Sequence, residues 1–323
     1  MLTETQHIPR KEQNFYMDNY NLKKAKNQNL IKWLSKFLKE DNLNLIYQCG
    51  TYLEFYSDVT LENKKLNRSN FCKNRFCPLC SWRKARKDAL KISILLKYLK
   101  DTFNYEFLFL TLTAPNVPGD KLNEEIKEYT KAFKRLSERK EFKNISMGFV
   151  RKLEVTFNKE RDDFHPHLHI MIAVNKSYFK KNDYISKKKW LEIWKECKRD
   201  NSITQVDVKK INIDDDNAIF EMAKYGAKDS DYLMTQDIFD TFYKALKGKR
   251  LITYSGAFKD ALKLFEGKQL EHYKEIDLTQ YIYRLTYTWN KEYWKYIQYE
   301  LKELSENEKE QINNKSINEM DLD

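Results

Sequence analysis

Glycine is scarce in this chain, with seven among 323 residues. No two of them stand in the spacing of a GxxxxGK phosphate loop or a GxGxxG dinucleotide turn, which argues against nucleotide-driven motors and nicotinamide enzymes. A GxSxG nucleophile elbow is also missing. No apolar run approaches the roughly 20 residues of a membrane span, and the opening Met1-Leu2-Thr3-Glu4-Thr5 has no signal-peptide core, so a cytoplasmic location is expected. Histidine and cysteine are equally rare, at five each. Neither is scattered.

The length suits two domains or one domain with extensions, and 41% hydrophobic residues can supply a core. Lysine and arginine outnumber aspartate and glutamate 59 to 48, a net +11 that favours polyanionic partners, nucleic acid first.

Three of the five histidines fall in His165-Pro166-His167-Leu168-His169, ahead of the apolar run Ile170 to Val174. Alternate positions of an extended strand share a face, so the three imidazoles are expected together, opposite Leu168, Ile170 and Ile172. Imidazole is a common ligand of divalent first-row metals, and two ligands on one strand need one or two more from a neighbour. The preceding segment Phe149 to Phe157 alternates Leu153, Val155 and Phe157 with Glu154 and Thr156. A turn at Asn158 to Asp163 would make the two an antiparallel hairpin, placing Glu154 on the face of the imidazoles.

Four cysteines fall in one segment: Cys49, then Cys72, Cys77 and Cys80. Clustering of this kind in a cytosolic protein points to metal before disulfide, with four thiolates holding zinc tetrahedrally. The C-x4-C-x2-C spacing is shared with plant-type ferredoxins, which keeps an iron–sulfur reading open. The basic residues Arg75, Arg83, Lys84, Arg86 and Lys87 surround the start of an expected helix from Trp82, a pattern suited to DNA phosphates.

Further on, Asp214 to Asn217 offer helix N-caps, and Glu221, Tyr225 and Lys228 follow at i, i+4 and i+7, the spacing of one helix face. A tyrosine beside a carboxylate and an ammonium is a candidate nucleophile. Phenol, with a pKa near 10, needs a cation, a metal or a base to expose its oxygen. Phe107 to Thr113 reads as a buried strand, Lys121 to Lys140 and 185 to 198 as helices, and Ile203 to Ile213 as a strand. That order describes a split α/β sandwich with an antiparallel sheet and helices on one face. Tyr281 to Trp289 reads as a strand, and Tyr293 to Tyr299 as helical.

Three motifs, Phe109-Leu110-Thr111-Leu112-Thr113, His165-Pro166-His167-Leu168-His169 and Glu221 to Lys228, resemble those of HUH endonucleases, above all the rolling-circle replication initiators of small Gram-positive plasmids. The Cys-Pro-Leu-Cys segment and Arg250 to Lys259 are similar to that family as well, so the resemblance runs over residues 45–265. It implies an α+β HUH fold, a central antiparallel sheet with helices, carrying an N-terminal zinc-ribbon-like module and a C-terminal α/β extension. The corresponding division is a polar segment 1–45, a Cys-rich module with basic helix 46–100, a nicking-joining domain 101–235, an extension 236–300 and an acidic tail 301–323 expected to be disordered.

The resemblance further implies that His167 and His169 hold magnesium or manganese, with Glu154 as third ligand and His165 next in line. Tyr225 matches the nucleophile that joins a 5′ phosphate, Lys228 completes the Tyr-x-x-Lys pattern, and Glu221 matches the residue that activates water to end replication. Expected partners are double-stranded origin DNA, single-stranded DNA at the nick, and a host helicase and polymerase. Two rival readings predict other behaviour: a non-catalytic zinc-containing DNA-binding regulator, and a relaxase or transposase sharing the HUH chemistry.

Overall fold

The amphipathic and alternating runs of the sequence become helices and strands in a computed structural model that describes residues 13–180, 184–213, 215–223 and 226–317. In chain order the elements are α1 (Gln13–Leu34), α2 (Glu40–Gln48), β1 (Tyr52–Ser57), β2 (Lys64–Ser69), α3 (Pro78–Phe103), β3 (Glu106–Thr113), α4 (Leu122–Glu138), α5 (Lys140–Ile145), β4 (Ser146–Asn158) and β5 (Asp163–Val174). They continue as α6 (Lys187–Lys198), β6 (Val206–Ile211), α7 (Asp216–Ala223), α8 (Asp229–Tyr232), α9 (Gln236–Leu246), β7 (Ile252–Gly256), α10 (Ala257–Glu266), β8 (Tyr283–Asn290), β9 (Lys295–Glu303) and α11 (Glu306–Ile312). Two units emerge, one of residues 84–275 and the other of residues up to 83 together with those from 276 onward.

The contiguous unit holds a five-stranded sheet of order β6-β3-β5-β4-β7, antiparallel at every pairing. β5 is central. Alternation sends Phe107, Phe109, Val150, Met171 and Ala173 to one face, where they pack with Ile92, Leu95 and Leu96 of α3, Met222 of α7 and Phe258 of α10. The opposite face is also covered, since Phe149 packs on Phe133 of α4 and Phe142 of α5, and Phe164 packs on Phe242 of α9. Helices therefore lie on both faces, not on one as the element order suggested. Both-sided cover explains why the second half of β5 is buried at every residue.

The other unit is a four-stranded antiparallel sheet of order β2-β1-β8-β9. Its core gathers Tyr20, Cys49, Leu53, Phe55, Leu66, Cys77, Leu79, Leu285 and Tyr296. Three expectations change here. Tyr293 to Tyr299 is a hairpin tip and strand rather than a helix, and the tail expected to be disordered carries the end of β9 and α11, opened by a Ser305–Glu308 capping box. Within the region read as one C-terminal extension, α9, β7 and α10 belong to the contiguous unit, whereas β8 and β9 join the cysteine segment. Within the polar segment 1–45 the chain is helical from Gln13, and residues 1–12 lie outside the described ones.

Candidate active site

The hairpin of β4 and β5 sets Glu154 directly opposite His167, while β3 sets Thr113 opposite His167 and Thr111 opposite His169 on the other side. This register follows from the strict alternation of each strand, and a slip of one residue would move all these side chains to the opposite face. Glu154 Oε2 lies 3.8 Å from His167 Nε2 and 3.3 Å from His169 Nε2. One ligand atom from each of the three residues falls within 4.8 Å of the others, an arrangement that could hold a metal ion. His165, the second candidate for third ligand, is not in that group; its ring centroid stands 5.2 Å from that of His167.

Several features of the trio suit a cation. His167 Nδ1 is 3.2 Å from the His165 carbonyl oxygen, which can only accept, so Nδ1–H donates to it and Nε2 is left as the bare nitrogen. Thr111 Oγ1 bonds Nδ1 of His169 at 3.2 Å. His169 Nε2 is buried and makes no hydrogen bond among the described residues, although it faces Glu154. Burial also pushes the His169 pKa down, favouring the neutral, ligating form. Burial would raise the Glu154 pKa, but the adjoining His167 and His169 rings and the charge of Lys152 outweigh it, and the carboxyl stays well below the usual range.

Lys152 was not singled out from the sequence. It is fully buried, with Nζ 3.3 Å from Glu154 Oε2 and donating at 2.6 Å to the backbone carbonyl of Glu221. The signal was legible, because Lys152, Glu154 and Thr156 alternate with Leu153 and Val155 and so share the face of the histidines.

The expected continuous helix through Glu221, Tyr225 and Lys228 is not formed. α7 is capped by Asp215, whose side chain accepts from Ala218 N, and it is described as far as Ala223. Gly226 and Ala227 form a bend, and Lys228 is exposed and extended at the N-cap of α8. Lys224 and Tyr225, the latter the expected nucleophile, lie outside the described residues, as does Asp214. The residues on either side are pinned to β4. Besides the Lys152 bond to Glu221, the amide of Val155 donates to the Gly226 carbonyl at 2.7 Å, and that of Leu153 to the Leu251 carbonyl at 2.8 Å. A Cβ on Gly226 would come within 2.9 Å of the Leu153 carbonyl oxygen, so glycine is what permits this approach. The Glu221 carboxylate reaches to 4.0 Å from His169 Nε2. Tyr232, seven residues after Tyr225, is fully buried against Phe239 and Phe242, which leaves its oxygen inaccessible as a rival nucleophile.

In the other unit the four cysteines converge. Sγ separations are 3.5 Å for Cys49–Cys80, 3.6 Å for Cys72–Cys80 and 3.7 Å for Cys49–Cys77, and all four sulfurs lie within 4.8 Å of one another. A tetrahedron with metal–sulfur bonds of about 2.3 Å has edges of about 3.8 Å, so the cluster is sized for one ion. Gly50, at φ +64°, turns the chain beside Cys49 where a side chain would collide with Leu79. The amides of Cys72 and Asn74 donate to Cys49 Sγ and Cys72 Sγ. Fully buried Lys24 donates to the carbonyls of Tyr47 and Cys49 at 2.9 and 2.6 Å, which brings its charge within reach of Cys49, Cys77 and Cys72. Of the five basic residues expected to meet phosphates, Lys84 is exposed and pairs with Asp88; Arg75, Arg86 and Lys87 are half-buried. Arg83 is buried, its guanidinium 4.0 Å over the Phe71 ring, which leaves it the least accessible of the set.

The sequence model of a family described as "Replication protein" matches residues 63–303. The chain belongs to that replication protein family. A "Protein rep" of Staphylococcus aureus is 48% identical over 223 residues, covering 69% of this chain and 97% of the relative. Further proteins of the same description from a Bacillus species and from Streptococcus pneumoniae are each 34% identical, over 68% and 72% of this chain and 78% and 75% of their own. No solved structure matches this replication protein. The match spans the cysteine segment from Cys72, the histidine strand and Glu221, and the replication protein resembles plasmid rolling-circle initiators, as its motifs suggested.

Proposed function

We propose that this replication protein initiates rolling-circle replication of a plasmid by nicking one strand of the origin through tyrosine transesterification. The observation that carries the reading is the Glu154–His167–His169 trio next to a segment whose flanks, Glu221 and Gly226, are bonded to the strand that bears Glu154. Magnesium or manganese held by the trio would draw charge from the non-bridging oxygens of a phosphodiester, the principal need of this poorly electrophilic group. The Tyr225 oxygen attacks phosphorus in line, forming the O–P bond as the P–O3′ bond breaks. The phenolic proton leaves to base or solvent and the departing oxygen becomes a 3′ hydroxyl that primes synthesis. Lys228 balances the phosphate charge, and Glu221 positions water for the hydrolysis that ends a round.

Cys49, Cys72, Cys77 and Cys80 are proposed to hold structural zinc, since a single ion fits their spacing whereas an iron–sulfur cluster would spread the thiolates around inorganic sulfide. Lys84, Arg86, Lys87 and Arg75 would meet duplex phosphates.

Supercoiled plasmid bearing the cognate origin tests the reading. Nicked circles should form only with magnesium or manganese, and disappear in the His167→Ala/His169→Ala double variant while DNA binding persists. Tyr225→Phe should abolish nicking and covalent attachment together. Glu221→Ala should still nick, but fail to terminate and accumulate multimeric single strands. A DNA adduct mapped to any other tyrosine, or full nicking by the histidine double variant, would refute the assignment.

A further inference from the structure

α1 meets the cysteine segment through polar side chains, at positions where a helix facing a core usually places apolar ones. Tyr20, Lys24 and Asn27 stand at i, i+4 and i+7, share one face of the helix and are each fully buried. Tyr20 sets its ring edge-on to Trp82 at 5.1 Å and to Phe55 at 5.6 Å. Asn27 Nδ2 donates to the Ile46 carbonyl at 2.8 Å, and Lys24 Nζ to those of Tyr47 and Cys49. These carbonyls belong to the last turn of α2 and its C-cap, the negative end of that helix, so α1 closes α2 with an amide and a cation.

Carbonyls alone do not account for a full positive charge in this place. A second amide like that of Asn27 would satisfy them, whereas an ammonium taken wholly out of water calls for an anion. Burial disfavours the Lys24 charge; Cys49, Cys77 and Cys72 favour it, and Lys291 opposes it. Zinc held by four thiolates carries a net double negative charge, and that is the anion these cysteines can supply. Lys24 and Cys49 both precede the stretch matched by the family model, so the segment that brings the fourth thiolate also brings the cation.

We propose that Lys24 is the counter-cation of the four-cysteine metal centre, and that through it the occupancy of the centre governs how firmly α1 is docked; this rests on the zinc reading above. With the ion in place, the anionic centre and the ammonium offset one another where water does not reach. Without it, the ammonium is left with carbonyl dipoles alone and α1 is held more weakly. Linkage makes the effect reciprocal: the ion tightens α1, and docked α1 tightens the ion by the same factor. Lys24 is a positioning residue in this arrangement, acting on the metal through the sulfurs.

The test uses the full chain, loaded with zinc or stripped by a chelator, and digested briefly with trypsin; cleavage after Lys23, Lys26 and Lys32 reports on α1. In the wild type, stripping should speed that cleavage roughly tenfold or more, while cleavage within residues 84–275 stays unchanged. Lys24→Met removes the charge and keeps the apolar stem, so stripping should then alter α1 cleavage little. Zinc should also leave this variant for a competing chelator roughly tenfold faster. With cobalt(II) in place of zinc, its sulfur-to-metal charge-transfer band should move to longer wavelength, because the sulfurs lose a nearby positive charge, and Lys24→Arg should restore both properties. A merely structural brace would leave the band in place and let stripping act on Lys24→Met as it does on the wild type; either result overturns the proposal. Should Lys24→Met fail to fold, the wild-type digest decides, since an α1 equally resistant with and without zinc refutes the coupling. A wild type that takes up neither zinc nor cobalt overturns the zinc reading and the counter-cation with it, whereas normal uptake with Lys24→Met indistinguishable from wild type overturns the counter-cation alone.

Discussion

Lys152 and Glu154 form an ion pair shut away from water, with side-chain exposures of 0% and 3%. Taking two charges out of water costs several kcal/mol per ion, and their attraction offsets this only if every remaining donor is satisfied. Here a second Lys152 bond, to the Glu221 carbonyl, meets part of that need and ties α7 to the strand bearing Glu154. Replacing Lys152 by methionine should therefore lower unfolding free energy by about 3–5 kcal/mol, read as a drop in the urea midpoint of the metal-free protein. Adding Glu154→Leu to that variant should restore much of the loss, since no charge is then left stranded. A double variant as unstable as the sum of the singles would mean that the two residues do not act as a pair.

At the scale of elements, the turn after α7 separates what periodicity can read from what it cannot. Glu221, Tyr225 and Lys228 have faultless helical spacing, but spacing is blind to the Val155 amide, which bonds to Gly226 from a strand some seventy residues earlier and ends the helical course. Gly226→Ala, pressed against Leu153, should push this segment off β4; nicking is expected to fall at least tenfold while circular dichroism stays unchanged, and an alanine variant with full activity would remove the segment's geometry from the argument. The strands β3, β4 and β5 were legible because each alternates or is continuously apolar between clear turns. β9 was not, since all its residues but Tyr296 are exposed and no two-residue rhythm survives. Likewise, no local signal could announce helices on the second face of the large sheet, as that requires knowing which strand lies in the middle. The cysteine cluster was visible by count alone, and it makes a quantitative prediction. Elemental analysis should find about one zinc per chain besides any catalytic ion, and Cys77→Ser should lose it; a brown, iron-containing preparation would favour the ferredoxin-like alternative.

At the scale of the molecule, one unit is contiguous and the other is assembled from both ends of the chain. Leu285, fully buried on β8 among Phe55, Leu53 and Cys49, should report on the second alone. Leu285→Ala is expected to cost about 2–5 kcal/mol in one of two calorimetric transitions and to loosen zinc retention, with the other transition unmoved; a uniform shift of a single transition would show that the units do not unfold separately. The same arrangement also has a history in time. β1 finds its partner β8 only after the whole contiguous unit has been synthesised, and the Tyr296 hydroxyl that bonds the Gly50 carbonyl comes 246 residues later. At about 5–20 residues per second, a ribosome needs on the order of ten to fifty seconds to deliver it. Throughout that interval Cys49, Cys72, Cys77 and Cys80 are made with half their sheet missing and the β8 side of β1 unpaired, so an ion taken up before translation ends, as the zinc proposal implies, would shield the nascent thiols from oxidation.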